Sequence, residues 1–146
     1  MLVIGIGNPD RGDDAVGWQV AEALEPLCDT AVSGGDPAAL IERWRGRHDV
    51  VLVDATRCAH VPGAVTIIDL LAQRLPPGVV SSSHGMGPLE AVELGRAIDA
   101  LPSSLTLVGI EGRAFEHGAG LSREVARGAE RAVAIISTWV NGGGPR

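Results

Sequence analysis

Apolar residues in this chain follow two rhythms: short unbroken runs, and longer stretches repeating at helical spacing. Leu2 to Ile6, Val50 to Asp54 and Leu105 to Ile110 are runs of the first kind, closed by glycine or by an acid. Such runs mark strands buried on both faces. Ala64 to Leu70 reads as a further strand and Asp29 to Ser33 as a short edge strand. Between them, Val16, Val20, Leu24 and Leu27 share one face of a helix that Asp13 or Asp14 opens and Pro26 frays. Pro37 to Arg45 is a small helix, with Asp36 as its N-cap and Pro37 at the first helical position. Pro88 opens the next helix, with Ala91, Leu94, Ile98 and Leu101 on one face. Ser122 caps the last one, which turns Leu121, Val125, Ala129, Ala132 and Ile136 inward.

The order of these elements predicts an α/β fold, a three-layer α/β/α sandwich around a mixed, mostly parallel sheet of about five strands. The mixing follows from one connection. Only nine residues, Ala55 to Gly63 with Pro62 among them, join the Val50 strand to the Ala64 strand. A right-handed parallel crossover needs about 10–12 residues or more including its helix, so the Ala64 strand is expected to run antiparallel. Pro76-Pro77-Gly78 punctuates the return. The chain then climbs again before Pro88, bringing His84 to the same sheet edge as Asp14 and Asp54, where Glu111 also arrives. Residues 1–140 are read as one domain and 141–146 as a flexible Gly-rich tail.

Composition narrows the function. A chain of 146 residues with 45% hydrophobic and 21% charged residues is an ordinary globular domain with a real core. Its net charge of -6 argues against a nucleic-acid surface. All 12 basic residues are arginine, which excludes a P-loop lysine, a Schiff-base lysine and a Ser-Lys dyad. Tyrosine is absent and aromatics are scarce, so base-stacking platforms are not expected. Cys28 and Cys58 lie outside any CxxC spacing and read as reduced thiols of a cytoplasmic protein. The chain opens directly on a strand-like run with no leader pattern, and no apolar stretch approaches membrane-spanning length.

Three stretches carry the chemistry: Gly5 to Gly17, Val53-Asp54-Ala55, and Ser81-Ser82-Ser83-His84-Gly85. Each puts an acid or an imidazole at a strand exit or helix entry, and in an open α/β sheet those exits converge on one crevice. Two carboxylates and a histidine meeting there can hold a metal ion that favours nitrogen and oxygen ligands. Gly5-Ile6-Gly7 resembles a dinucleotide turn, but Asp10 stands where the third glycine belongs, and Asp13 and Asp14 would repel a pyrophosphate. One aspartate at a helix entry satisfies free backbone donors; spacing alone leaves open whether the second has another task. Asp54 is either a turn residue ending its strand or a site residue. His84 is either an exposed loop residue, a metal ligand or a base. Glu111, Arg113, Glu116 and His117 read first as a solvated loop, with substrate contact as the alternative. His48 and His60 are read as surface residues, and so is His117.

Taken together, these stretches resemble the hydrogenase maturation protease family over nearly the whole chain. The resemblance rests on Gly-Ile-Gly-Asn-Pro-Asp-Arg-Gly-Asp-Asp-Ala-Val-Gly at 5–17, Val-Asp-Ala at 53–55 and Ser-His-Gly-Met-Gly at 83–87. Gly-Ile-Glu at 109–111 and Gly-Leu-Ser at 120–122 also fit. It implies an α/β/α sandwich and an endopeptidase that removes the C-terminal extension of a nickel-iron hydrogenase large-subunit precursor. By motif position Asp14, Asp54 and His84 become the metal-contacting and catalytic residues. The nickel is then supplied by the precursor as a recognition mark, and no permanently bound cofactor is expected. The ion can polarise the scissile carbonyl or activate water, or the aspartates can act as general base and acid; both routes stay open. The resemblance further implies a cytoplasmic aspartyl-type protease, expected as a monomer.

Two departures from the family pattern stand out. Asp14 replaces a frequent glutamate, one methylene longer. Where the family often has Asp-Gly-Gly-Thr, this chain has Ser33-Gly34-Gly35-Asp36. Asp36 is the candidate to replace the missing acid. That absence favours the competing reading, a non-cleaving nickel- and precursor-binding chaperone. A third reading, a peptidyl-tRNA hydrolase-like esterase, shares the Gly-Asn-Pro turn but conflicts with the net charge, the absence of lysine and the Asp-Asp pair.

Overall fold

The computed structural model describes residues 1–58, 60–72 and 87–145. Five strands, β1 (Leu2–Ile6), β2 (Asp29–Ser33), β3 (Asp49–Thr56), β4 (Val65–Asp69) and β5 (Ser104–Glu111), form one sheet in the order β2-β1-β3-β5-β4. Neighbours run parallel except β4, which pairs antiparallel with β5. The short β3–β4 link therefore does what its length dictates. It reverses the chain at the sheet edge and leaves a gap that β5 later fills.

Four helices flank the sheet: α1 (Val16–Leu24), α2 (Pro37–Trp44), α3 (Pro88–Ala97) and α4 (Arg123–Gly142). Alternation along each strand divides the core. Leu2, Ile4, Ile6, Val50, Leu52, Leu105 and Leu107 face α2 and α3, where Trp44 and Val92 meet them. Val3, Val51, Val53, Ala55, Val108 and Ile110 face α1 and α4, against Val16, Val20, Leu24 and Ile136. Both faces of the central strands are thus covered, which is why they read as unbroken apolar runs.

Several boundaries differ from the sequence reading. β3 continues two residues past Asp54, because Asp54, Ala55 and Thr56 keep pairing with Gly109, Ile110 and Glu111 of β5. Gly12–Ala15 forms a 3-10 turn ahead of α1, with Arg11 at its N-cap and no side-chain capping bond. Both aspartates lie inside that turn, so neither opens the helix as a cap. On α3 the buried residues are Pro88, Ala91, Val92 and Gly95, whereas Leu94 and Ile98, expected inside, are 40% and 53% exposed. The close seat of Gly95 against Leu101 and Trp44 rotates the helix toward its small residues. Leu27 lies beyond the end of α1 and is exposed. α4 runs on through Gly142, and Gly143 closes it in the left-handed conformation. The Pro76–Gly78 turn lies outside the described residues.

The glycines of the first motif bring α1 onto the sheet. A Cβ on Gly5 would strike the backbone of Gly17, and one on Gly17 would lie 2.5 Å from the Ile6 carbonyl oxygen, with Val53 O also in the way. Backbone atoms cannot swing aside as a side-chain tip can. Gly17→Ala is therefore expected to destabilise the domain by about 3 kcal/mol, read from urea unfolding. A change under about 1 kcal/mol would mean that α1 shifts freely over β1.

Candidate functional site

The C-terminal ends of β1, β3 and β5 gather four buried carboxylates: Asp13, Asp14, Asp54 and Glu111. Strand register fixes the level of Asp54, and the turn after β1 fixes that of Asp14. Gly5 pairs with Val53, so Asp54 stands level with Ile6. The next residue, Gly7, turns at φ +134°, and the Asp14 carboxylate lies over it, Oδ1 being 3.3 Å from where a Cβ would be. Parity with Val50 and Leu52 sends Asp54 to the face covered by α2 and α3.

The four acids differ in what holds them. Asp13 is fully buried and closes a staple across some hundred residues of sequence. Its Oδ2 accepts from the amides of Arg113 and Ala114, each at 2.8 Å, and from the Ser122 hydroxyl at 3.0 Å. Its Oδ1 accepts from the Ser122 amide at 2.7 Å. A carboxylate so fully bonded to the loop after β5 is an architectural element. Asp14, one residue on, accepts from the Asn8 amide at 3.0 Å and has the Arg11 guanidinium 3.9 Å away. It faces the turn after β1, which is the sheet edge. The two neighbours are thereby distinguished: Asp13 holds the loop after β5, and Asp14 lies against the turn after β1.

Glu111 differs from its first reading as part of a solvated loop. It is buried, and its carboxylate accepts from the Cys58 amide at 2.5 and 3.0 Å and from the His60 amide at 3.2 Å. It pins the loop after β3 to the end of β5. The signal was available: Glu111 closes an apolar run as Asp54 nearly does, in the phase of strand residues that face α2 and α3. Arg113 and Glu116 are exposed, and Arg113 pairs with Glu124 at 2.6 Å. That guanidinium helps hold the Glu124 carboxyl below its usual range, after the larger effect of a backbone hydrogen bond.

The remaining histidines and cysteines behave as surface and structural residues. His48, His60 and His117 are exposed. Burial pushes the Cys28 thiol up, which keeps it protonated and unreactive. Ser33 stands where the family acid is expected; its hydroxyl accepts from the Gly35 amide at 3.1 Å. Asp36 is exposed and caps α2, accepting from the Ala39 amide at 2.9 Å. His84 and the rest of the Ser81–Gly85 stretch lie outside the described residues. Among the described residues, no group of three or more His, Cys, Asp and Glu side chains is placed to hold a metal ion. A cleft of about 500 Å³ between α1 and β2 is lined by Trp18, Gln19, Glu22, Thr30 and Arg43. Asp14, Asp54 and Glu111 do not line it.

Sequence reasoning missed one assembly at this edge. Phe115, the only phenylalanine of the chain, has the Arg57 guanidinium carbon 3.9 Å from its ring centroid and that of Arg11 at 5.6 Å. A lone aromatic set among acids and arginines was the available signal.

A family model described as hydrogenase maturation protease matches residues 21–139. Among solved structures, the NiFe hydrogenase maturation protease HybD from Thermococcus kodakarensis superposes with a TM-score of 0.80. It is 24% identical, over 95% of this chain and 97% of that one. The hydrogenase maturating endopeptidase HybD from E. coli gives 0.74 at 25% identity, over 97% of this chain and 93% of that one. The NiFe hydrogenase maturation protease HycI from Thermococcus kodakarensis gives 0.74 at 26% identity, over 97% and 92%. No curated protein matches the sequence significantly. No helix among the described residues is long and apolar enough to cross a membrane.

Proposed function

The chain belongs to the hydrogenase maturation protease family, and from that premise we propose that it removes the C-terminal extension of a nickel-iron hydrogenase large-subunit precursor after nickel insertion. The observation that carries this reading is the pair of buried aspartates, Asp14 and Asp54, at one sheet edge within a chain that matches the family over most of its length. The relatives' names, one an endopeptidase and two NiFe hydrogenase maturation proteases, supply the substrate class.

In this reading the metal arrives with the substrate. Asp14 and Asp54 offer oxygen donors and His84, four residues before α3 in the sequence, a nitrogen donor, a set suited to a divalent nickel ion. A precursor lacking nickel would present its tail to two carboxylates with no cation between them, which favours release. Hydrolysis adds water to the scissile carbonyl and passes a proton to the leaving amine. Either the precursor's nickel polarises that carbonyl or lowers the pKa of the water, or an aspartate takes the water's proton and returns it to the amine. Asp13 and Glu111 take no part in that transfer. They hold the loops after β5 and β3 that border the site.

The test is mass spectrometry of the cognate precursor after incubation with the protein, nickel-loaded in one arm and metal-free in the other. The expected result is loss of a single C-terminal peptide in the nickel arm alone. Cleavage without nickel would overturn the recognition role of the metal. An intact precursor that still binds would overturn cleavage and leave a maturation chaperone, consistent with Ser33 at the position of the family acid.

A further inference from the structure

Arg57 follows the last residue of β3, three positions after Asp54, and both of its flanks are fixed. Thr56 O accepts from the Gly112 amide at 3.0 Å, and the Cys58 amide donates to Glu111. Its side chain is exposed yet held against the Phe115 ring at 3.9 Å. The guanidinium carbon thus lies over the ring in cation–π contact. That contact engages the side of the guanidinium facing the ring, while its fork of five N–H donors also has groups directed away from it. No carboxylate among the described residues forms an ion pair with Arg57. Arg11, on the same ring, is turned toward Asp14.

The platform itself is built in. A Cβ on Gly112 would overlap the Phe115 ring, so the ring rests on bare backbone at the end of β5. Its inner part packs with the cluster beneath α1 and α4. An arginine over a ring at an exposed position adds little to stability, which is little reason by itself for this arrangement. Its surroundings suggest a reason. The edge carries four buried acids, and the chain has a net charge of -6. An incoming peptide that bears a carboxylate near its cut bond would be repelled unless a cation met it. Arg57 is a pre-oriented cation with free donors, and a carboxylate is the group its fork fits in two-point fashion.

Resting on the proposed cleavage reaction, we propose that Arg57, braced on Phe115, is a specificity-determining contact for a carboxylate of the precursor's C-terminal extension. That carboxylate is either an acidic side chain or the terminal α-carboxylate of the extension.

The experiment uses the nickel-loaded precursor in three forms: native, with the acidic side chains of its extension changed to amides, and with its terminal carboxyl amidated. Each is given to wild type, Arg57→Gln and Phe115→Leu, and KM, kcat and equilibrium affinity are measured. Arg57→Gln is expected to raise KM for the native form about 10-fold or more, as loss of a charge-assisted pair does, with kcat within about 2-fold. Phe115→Leu, which keeps the charge and removes the brace, is expected to raise KM by about 3-fold. One modified precursor should raise the wild-type KM by the same factor as Arg57→Gln and cost that variant nothing further; which one does so identifies the carboxylate. Equal KM for wild type and Arg57→Gln overturns the proposal, as does a fall in kcat alone. If wild type leaves the native precursor intact, the cleavage reading fails separately. The affinities then decide the Arg57 contact, equal values for wild type and Arg57→Gln overturning it.

Discussion

Asp54→Asn is expected to reduce cleavage of a nickel-loaded precursor by about 10²–10⁴-fold while leaving the fold in place. The amide has nearly the volume of the carboxylate, and the β3–β5 ladder on either side, Val53 to Val108 and Ala55 to Ile110, involves only backbone. What changes is chemistry: an amide carries no charge to meet a cation and takes no proton from water. Losing a general base typically costs 10²–10⁴-fold, about the range expected here. A buried neutral amide is also easier to desolvate than a buried carboxylate, so no large loss of stability accompanies the change. The readout is product mass against time, with the thermal midpoint of the same sample alongside. Activity within about tenfold of wild type would remove Asp54 from the machinery. A collapse of the thermal midpoint would make it a structural residue instead.

Asp13→Ala is expected to do the reverse, costing about 3–5 kcal/mol of stability. The carboxylate accepts four hydrogen bonds, from the amides of Arg113, Ala114 and Ser122 and from the Ser122 hydroxyl. Removing the acceptor strands partly buried donors, each worth about 1–3 kcal/mol if left unsatisfied. Those costs are not additive, because water reaches some of the loop. The lower figure is still a large share of the roughly 5–15 kcal/mol that holds a domain of this kind together. For a chain of this length, 3–5 kcal/mol corresponds to a fall in thermal midpoint on the order of 10 °C. Denaturant unfolding of Asp13→Ala beside Asp14→Ala gives the contrast directly: Asp13 ties down three amides and a hydroxyl of the loop after β5, whereas Asp14 accepts from the Asn8 amide within its own turn and has Arg11 at 3.9 Å. Equal stability losses in the two variants would refute the division of labour between these neighbours.

That division explains how far the site could be read from the chain. Asp13 and Asp14 are adjacent in sequence and equivalent by composition, charge and helical position. On a 3-10 turn successive side chains leave the axis about 120° apart, so one reaches inward to the loop at 113–122 and the other outward over Gly7. Which does which depends on where a loop some hundred residues later comes to rest. Glu111 shows the same dependence. In sequence it opens a stretch of charged residues, and its burial is decided by loop amides after β3, those of Cys58 and His60, that need an acceptor. On α3 the 3.6-residue pattern pointed to Leu94 and Ile98, but tight packing at Gly95 set another face inward.

The sequence by itself determined the strands, the helices and the direction of β4. These follow from interactions within a few residues: unbroken apolar runs, proline at the first turn of α2 and α3, and a link too short to cross over in parallel. It also put Asp54 in the strand β3 and the Asp13-Asp14 pair in the connection after β1, and parallel strands send both out at the same end of the sheet. Only the tertiary structure decided that Asp13 and Glu111 are scaffolding, that Asp36 is a helix cap, and that Arg57 and Phe115 form one unit. Their roles are fixed by partners tens of residues away, and a side chain's nearest neighbours in sequence carry no record of which distant donors will need it.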